Sequence, residues 1–326
     1  MNLLIIGYSS LVARRILPAA LKISRIKKIY ICSKNLKEVL PEWTSSKEIV
    51  LIDGYETDLS SHDTLVYIST PNSLHFHYGR YYLERGFHVV IDKPAVLNLG
   101  EAERLTEIAR KNSILLAEAN VWYRHPIAGT FKSLFDSCER NHNLRIIQTF
   151  TNPPLDKSNF RYKTDFGGGI LYDRASYAIS LSRFLLSKYP KEIDVFVNER
   201  DNNGLDISSE VLFRFDERSI LLSSYFSLNA QYFNKLQLLG ENILIEAERL
   251  FTPPENYNGK VLVSNRNKSN VVDVEMGDSF QLFLEEILDS VSGDEYKRYS
   301  EEFYNDSVVL EKIINLGKKG IYESGH

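Results

Sequence analysis

Two short stretches of this chain carry residues suited to chemistry at a carbonyl or hydroxyl oxygen. The first is Asp92-Lys93-Pro94, which follows the apolar run Phe87-His88-Val89-Val90-Ile91. If that run is a parallel strand, Lys93 stands at its carboxyl end, where open α/β sheets bind their ligands. A lysine there can face a flat redox ring and the ketone or sugar stacked on it. A surface lysine ahead of a helix-opening proline fits the same three residues. The second stretch runs Gly167-Gly168-Gly169-Ile170-Leu171-Tyr172-Asp173-Arg174-Ala175-Ser176-Tyr177. Its glycines permit backbone geometry closed to other residues and close approach of a ligand. On a helix, Asp173 and Tyr177 share one face. An acid beside a phenol can orient a hydroxyl and donate a proton to a developing alkoxide. A Tyr177 packed in the core, its hydroxyl satisfied locally, is the alternative.

The elements that must position these residues change character near residues 119–123. Before that point strands and helices alternate. Short apolar runs at Leu3–Gly7, Lys28–Cys32, Ile49–Ile52, Thr64–Ser69, Phe87–Ile91 and Ile114–Glu118 read as strands. Leu11–Ile23 (bent at Pro18), Leu74–Arg85 (stopped by Gly86) and Leu99–Asn112 read as helices. Such alternation implies βαβ units and a parallel sheet covered on both faces. After it, a helix over Pro126–Cys138 leads to a strand at Leu144–Thr151. The glycine stretch and its helix then give way to strand-like runs at Ile193–Val197, Ser209–Phe215, Ser219–Phe226, Phe233–Leu239 and Asn242–Glu246. Helices over Ser279–Ser290 and Glu301–Tyr322 close the chain. Alternating polar and apolar residues in those strands fit an antiparallel sheet with one wet face. The fold class is α/β followed by α+β, with domains over 1–122 and 123–326. An uncovered sheet face, with Phe215, Phe226 and Phe233 as candidates for it, would pair two copies into a homodimer or homotetramer.

The turn after the first strand, Gly7-Tyr8-Ser9-Ser10-Leu11-Val12, sits where a dinucleotide-binding turn belongs. Of the three glycines in G-x-G-x-x-G only Gly7 is present. Ser9 is small enough for the second role, while Val12 should push the helix outward. A plain strand–helix turn is the alternative. The second strand ends Cys32-Ser33-Lys34 with no acid for a ribose 2′-hydroxyl. Ser33 and Lys34 suit a 2′-phosphate instead, so NADP(H) is preferred and NAD(H) is possible.

The 326 residues are 43% hydrophobic and 25% charged with a formal net charge of −4, ordinary for a globular protein and no argument for nucleic acid or a membrane surface. No apolar run approaches the ~20 residues of a membrane span. No secretory signal is read at the start, and Cys32 and Cys138 make no disulfide framework. A cytoplasmic location and no metal are the expectations.

Together these motifs resemble the glucose–fructose oxidoreductase and inositol dehydrogenase (Gfo/Idh/MocA) family of NAD(P)-dependent sugar enzymes. The residues that carry the resemblance are Gly7, Thr70-Pro71-Asn72-Ser73-Leu74-His75, Asp92-Lys93-Pro94 in place of the family's Glu-Lys-Pro, and the triple glycine followed by Asp173. Within the family the chain is most similar to the sugar-nucleotide 3-ketoreductases of deoxysugar biosynthesis. That likeness rests on Ala13–Ala19, His125-Pro126, Pro153-Pro154, Arg161-Tyr162, Phe251–Pro254 with Tyr257, and on tyrosine at 177 where many relatives have histidine. The resemblance implies a doubly wound Rossmann domain, an open and mostly antiparallel sheet domain, and a nucleotide-sugar substrate. It makes Lys93 and Tyr177 the catalytic pair, with Tyr177 as proton donor and Lys93 as the nearby cation. The ketoreductases usually show Asp-Ile-Gly or Asp-Leu-Gly where this chain has Asp173-Arg174-Ala175.

The remaining site residues follow from the same reading. Tyr8, Ser9, Ser10 and Leu11 would hold the cofactor at the first turn and Asp92 beside Lys93. Thr70, Pro71 and Asn72 would line the nicotinamide ribose with His75 near it. Arg161 would meet the nucleotide diphosphate, Trp122, Tyr123 and His125 the sugar, and Tyr257 the base, with Asp173 orienting a hydroxyl and Tyr162 also among the substrate-binding residues. For Arg161 and Tyr257 a purely structural role fits equally, and a lone histidine such as His75 is more often a structural hydrogen-bonder. Two other activities share these motifs: a dehydrogenase of a free sugar, polyol or sugar nucleotide working oxidatively, and an inactive binding subunit that kept the fold.

Overall fold

Six short runs of β-branched and aliphatic residues, apolar on both faces in the central strands, build a parallel sheet. In the computed structural model, which describes residues 1–34, 47–138, 143–215, 220–266, 268–292 and 295–319, these are β1 (Asn2–Ile6), β2 (Lys28–Ser33), β3 (Glu48–Asp53), β4 (Thr64–Ile68), β5 (His88–Ile91) and β6 (Leu116–Glu118). Their order is β3-β2-β1-β4-β5-β6, and every pairing is parallel. The order reverses between β1 and β4, so the carboxyl ends of these two strands flank the topological switch point where such sheets bind ligands. Leu3–Ile6 and Leu65–Ile68 are fully buried, as strands covered on both faces must be.

The first helix shows how a proline is accommodated. Val12–Ile16 winds as a π-helix and Leu17–Lys22 as α1, with Pro18 in the first turn of α1. Pro18 has no N–H to give the preceding turn. The wider register lets the Leu17 N–H reach the Val12 carbonyl instead. Val12 itself is buried. α2 (Asn72–Glu84) ends before Gly86, whose φ of 80° makes the stop. Its cap residue is Pro71, with no side-chain cap. α3 (Leu99–Asn112) starts on its cap residue Asn98, which accepts the Glu101 N–H at 3.0 Å, while the Glu101 carboxylate accepts the N–H of Leu97, one residue before the cap, at 2.9 Å.

The second sheet has eight strands: β7 (Leu144–Thr151), β8 (Glu192–Arg200), β9 (Asp206–Arg214), β10 (Ile220–Ser227), β11 (Phe233–Leu239), β12 (Ile243–Glu248), β13 (Lys260–Asn265) and β14 (Lys268–Asp273). The order is β14-β13-β12-β11-β7-β10-β9-β8, antiparallel except between β7 and β10. The fold class expected from the sequence is therefore observed. One face is covered by α4 (Pro126–Asp136) and α5 (Ile170–Leu186). Phe215 and Phe226 point into that core, at 5% and 0% exposure, so neither belongs to the open face. Strand register puts Phe196, Phe233, Leu239 and Val271 on the open face, around a polar centre of Glu210, Lys235, Gln237 and Glu246.

Two features escape a sequence reading. β13 and β14 form a hairpin whose outer strand is almost wholly exposed, so no apolar alternation marks it; it pairs because β13 offers an edge. The compact units also do not follow a single cut. The first unit is Met1–Ala119 with Phe280–Ser307, and the second is Asn120–Ser279 with Val308–His326. α6 (Ser279–Ser292) and the first half of α7 (Tyr296–Lys319) therefore group with the parallel sheet, and Phe303 enters its hydrophobic core. The expected starts of the last helix at Glu301 and of a strand at Ser219 differ as well: the helix begins at Tyr296, while Ser219 and residues 320–322 lie outside the described residues.

Phe213 lies at 0% exposure in the core beneath α4 and α5. Phe213→Ala should cost about 3–5 kcal/mol, read as a lowered urea midpoint by circular dichroism. A loss below ~1 kcal/mol would show that this core does not hold the second sheet.

Candidate active site

In the first unit, the expected cofactor residues follow the carboxyl ends of β1, β2, β4 and β5. Gly7 has φ 93°, and a Cβ there would stand 2.6 Å from the Ser69 carbonyl oxygen, so only glycine lets β1 turn against the end of β4. The Gly7 N–H donates to the Cys32 carbonyl at 2.8 Å. Ser9 stands where the second fingerprint glycine would be, and its hydroxyl does specific work. Its Oγ accepts the Val12 N–H at 3.2 Å and shares a 2.8 Å hydrogen bond with Ser69 Oγ. Ser69 Oγ donates in turn to Asp92 Oδ2, and the Tyr67 hydroxyl donates to Asp92 Oδ1 at 2.6 Å. A continuous chain of polar groups thus runs from the first helix to the residue before Lys93.

The Lys93 segment is held by two more side chains. The Lys93–Pro94 peptide is cis. His75 Nδ1 lies 2.9 Å from the Pro94 carbonyl oxygen and Nε2 lies 2.8 Å from that of Thr70. Glu118 Oε1, on β6, accepts the Ala95 N–H at 2.9 Å. Both ring nitrogens of His75 lie within hydrogen-bond distance of backbone carbonyl oxygens, and the residue is 1% exposed, so it braces the segment. Tyr67, Ser69 and Glu118 were not singled out in the sequence. Tyr67 and Glu118 lie inside strands, where alternation marks only a face.

The second unit assembles the other candidates at the start of α5. A Cβ on Gly168 would stand 2.7 Å from both the Arg161 and Lys163 carbonyl oxygens, and the Gly169 N–H donates to Arg161 at 2.9 Å. The glycines therefore seat the chain's own residues 161–163. Arg161 is thus brought to Asp173, with Nε 3.0 Å from Oδ2; Arg174 Nε approaches the same oxygen at 2.8 Å. Asp173, 5% exposed at its side chain, is thus approached by two guanidiniums. Tyr177, at 8% exposure, packs its ring against Phe150 and Phe251 at 5.4 and 5.7 Å.

Several of the other expected substrate-binding residues also make contacts within the protein. Trp122 is 1% exposed, donates from Nε1 to Ser180 Oγ at 2.9 Å, and packs on Tyr123, Phe184 and Phe251. His125 caps α4, with Nδ1 accepting the Ile127 N–H at 3.2 Å. Tyr162 accepts the Leu155 N–H at 3.1 Å. Tyr257 donates to the Glu248 carbonyl at 3.3 Å, and burial pushes its phenol up. Tyr123 is half-buried against Phe184, at 5.5 Å. A large apolar residue after the last strand reads as pocket or as core equally well, and here packing took Trp122.

The first unit suits a dinucleotide on its own geometry. Beside the Gly7 turn, the buried Thr70 Oγ1 and Tyr8 hydroxyl have no hydrogen-bond partner among the described residues, and a buried polar atom without a partner marks a place where a ligand can supply one. Ser10 is exposed, Leu11 half-buried, and Ser33 buried at the end of β2. Lys34 is exposed, its Nζ 5.3 Å from the Tyr55 ring centre, where a phosphate could reach it. Pro71 is half-buried and Asn72 buried. The described residues contain no group of three His, Cys, Asp or Glu able to hold a metal, and no helix long and apolar enough to cross a membrane.

Burial pushes the Asp92 carboxyl above the usual carboxylate range, against the pull of Ser69 and Tyr67. A carboxyl with a raised folded pKa binds its proton more tightly in the native state. Taken alone, it stabilises the protein as pH falls through that value toward the unfolded ~3.9. The stability advantage of wild type over Asp92→Asn should therefore shrink as pH rises from about 4 to 7. Urea midpoints of both proteins across that range check it, and a constant gap would contradict it.

A family profile described as an oxidoreductase family with an NAD-binding Rossmann fold, GFO/IDH/MocA, matches residues 1–119, and the GFO/IDH/MocA C-terminal domain matches residues 142–246. The dTDP-3,4-didehydro-2,6-dideoxy-alpha-D-glucose 3-reductase of Saccharopolyspora spinosa is 25% identical over 80% of this chain and 79% of its own. The enzyme of the same description from Actinomadura kijaniata is 23% identical over 98% of this chain and 96% of its own. A crystal structure of a 3-ketoreductase from Actinomadura kijaniata, in complex with NADP and TDP-benzene, shares the fold with a TM-score of 0.84 at 22% identity, covering 97% of each chain. With both halves matched in order, the chain belongs to the GFO/IDH/MocA family of oxidoreductases.

Proposed function

We propose that the protein is an NADP(H)-dependent reductase of the C-3 keto group of a nucleotide-linked deoxyhexose. The observation that carries this reading is the end-to-end match with the Actinomadura kijaniata reductase, 98% of this chain against 96% of that one. NADPH supplies the hydride when bound. This chain's residues bind, orient and move the proton. Gly7, Tyr8, Ser9, Ser10, Leu11 and Thr70 receive the dinucleotide, and Ser33 and Lys34 take its 2′-phosphate. As negative charge grows on the carbonyl oxygen, a proton donor aimed at it stabilises the transition state more than the ground state. Tyr177 is that donor. Lys93, held by the Asp92, His75 and Glu118 contacts, supplies the cation that favours a phenolate. Arg161 and Asp173 orient the substrate. The oxidative direction on a sugar nucleotide uses the same residues, and product analysis with NADPH or NADP⁺ separates the two.

The reading includes a cytoplasmic location, which suits the free thiols of Cys32 and Cys138. It also includes association of two or four copies through the open sheet face, where Phe196, Phe233, Leu239 and Val271 are 46–56% exposed.

With a dTDP-linked 3-keto-deoxyhexose, NADPH absorbance should fall and a 3-hydroxy sugar should form; no turnover would sink the proposal. Tyr177→Phe should lower kcat ~10²–10⁴-fold, and Lys93→Met comparably. The double variant should be little worse than either single one, because groups acting on one atom are not additive. Fully multiplicative losses would separate their roles. Lys34→Ala should raise KM for NADPH about tenfold or more, the worth of a charge-assisted hydrogen bond, and leave KM for NADH nearly unchanged. Equal effects on both would remove the 2′-phosphate assignment.

A further inference from the structure

The start of α5 holds more positive charge than it pairs. Arg161 and Arg174 both place Nε within ion-pair distance of one oxygen, Asp173 Oδ2, at 3.0 and 2.8 Å. Side-chain exposures are 26% for Arg161, 9% for Arg174 and 5% for Asp173. Neither Nε–H is aligned for a hydrogen bond to that oxygen, so the pairing is Coulombic. Two guanidiniums and one carboxylate leave one cation over. The nearby Asp206 does not neutralise it. That carboxylate accepts the Leu171 N–H at 2.6 Å and takes its Coulombic support from Arg200.

Arg174 is also fixed in place. Its Nη2 donates to Asn152 Oδ1 at 2.6 Å, and its guanidinium lies 3.5 Å over the Phe150 ring and 5.8 Å from the Tyr177 ring. Its Nη1 makes no hydrogen bond or ion pair among the described residues. A guanidinium taken largely out of water and left without a full counter-charge is costly. An oxyanion of a ligand would repay that cost, with little ordering left to do.

We propose that Arg161, Asp173 and Arg174 form an oxyanion subsite, with Arg174 reading a negatively charged oxygen group on the substrate close to the carbon that Tyr177 serves. This deepens the reductase reading and rests on it for the role of Tyr177. The shared chemistry is an oxyanion; its two sources are the diphosphate of a nucleotide sugar and a carboxylate on the sugar ring. The planar fork of arginine suits either, since both present paired oxygens.

Calorimetric titration of the full chain, saturated with NADPH, tests the subsite with thymidine diphosphate, D-glucuronate and neutral D-glucose as probes. Wild type should bind at least one of the anions more tightly than glucose. Arg174→Met keeps the apolar stem over Phe150, and should weaken that anion at least about tenfold while NADPH affinity holds. Arg174→Lys, which keeps the charge and loses the fork, should recover part of the loss. A loss confined to thymidine diphosphate assigns the diphosphate, and a loss confined to glucuronate assigns a sugar carboxylate. Wild type that binds neither anion, or Arg174→Met and Arg174→Lys that bind both as wild type does, overturns the subsite. Arg174-dependent anion binding in a chain that never consumes NADPH with keto-sugars would leave the subsite standing and remove the reductase reading instead.

Discussion

Asp92 places a partly buried carboxylate just after β5, and a carboxylate drawn away from water must be met by donors. Tyr67 and Ser69 meet it from the strand next door, β4. Because Ser69 also bonds Ser9, the same requirement ties the dinucleotide turn to the end of β5. Lys93 follows directly in the chain, and its segment is closed by His75 on the Pro94 carbonyl and Glu118 on the Ala95 N–H. The backbone that follows Lys93 is thus held by side chains from α2 and β6. The shorter aspartate in place of the family's glutamate is matched by two hydroxyls that reach in to it.

The second unit satisfies the same demand differently. Its glycines bring residues 161–163 against the start of α5, and that approach delivers Arg161 to Asp173. Arg174 adds a guanidinium that lies flat on Phe150 and bonds Asn152. Asp173 thereby stands between two guanidiniums, with Tyr177 four residues further along the same helix.

How legible this was varies with the kind of signal. The parallel sheet was readable because its strands are apolar on both faces and punctuated by helices with clear stops, such as Gly86. The Gly7 turn stood out by its place between a strand and a helix even with two fingerprint glycines missing. What Ser9 does was not readable, since its partner Ser69 is 60 residues away. Trp122 and His125 stood out because they follow the last strand of the sheet; that Trp122 packs on Phe251 and His125 caps α4 was not readable. The hairpin of β13 and β14 left no pattern because an exposed edge strand has no buried side to select apolar residues.

The sequence by itself determined the two-part architecture, the oxidoreductase family, the candidate lysine and tyrosine, and the absence of an acid at the end of β2. Those rest on residue type and local spacing, which periodicity and motif order preserve. Only the tertiary structure decided which polar groups answer one another: Asp92 with Tyr67 and Ser69, His75 with two carbonyls, Asp173 with two arginines. Such pairings join residues from separate elements, and burial, which one strand or helix cannot create alone, is what makes each of them necessary.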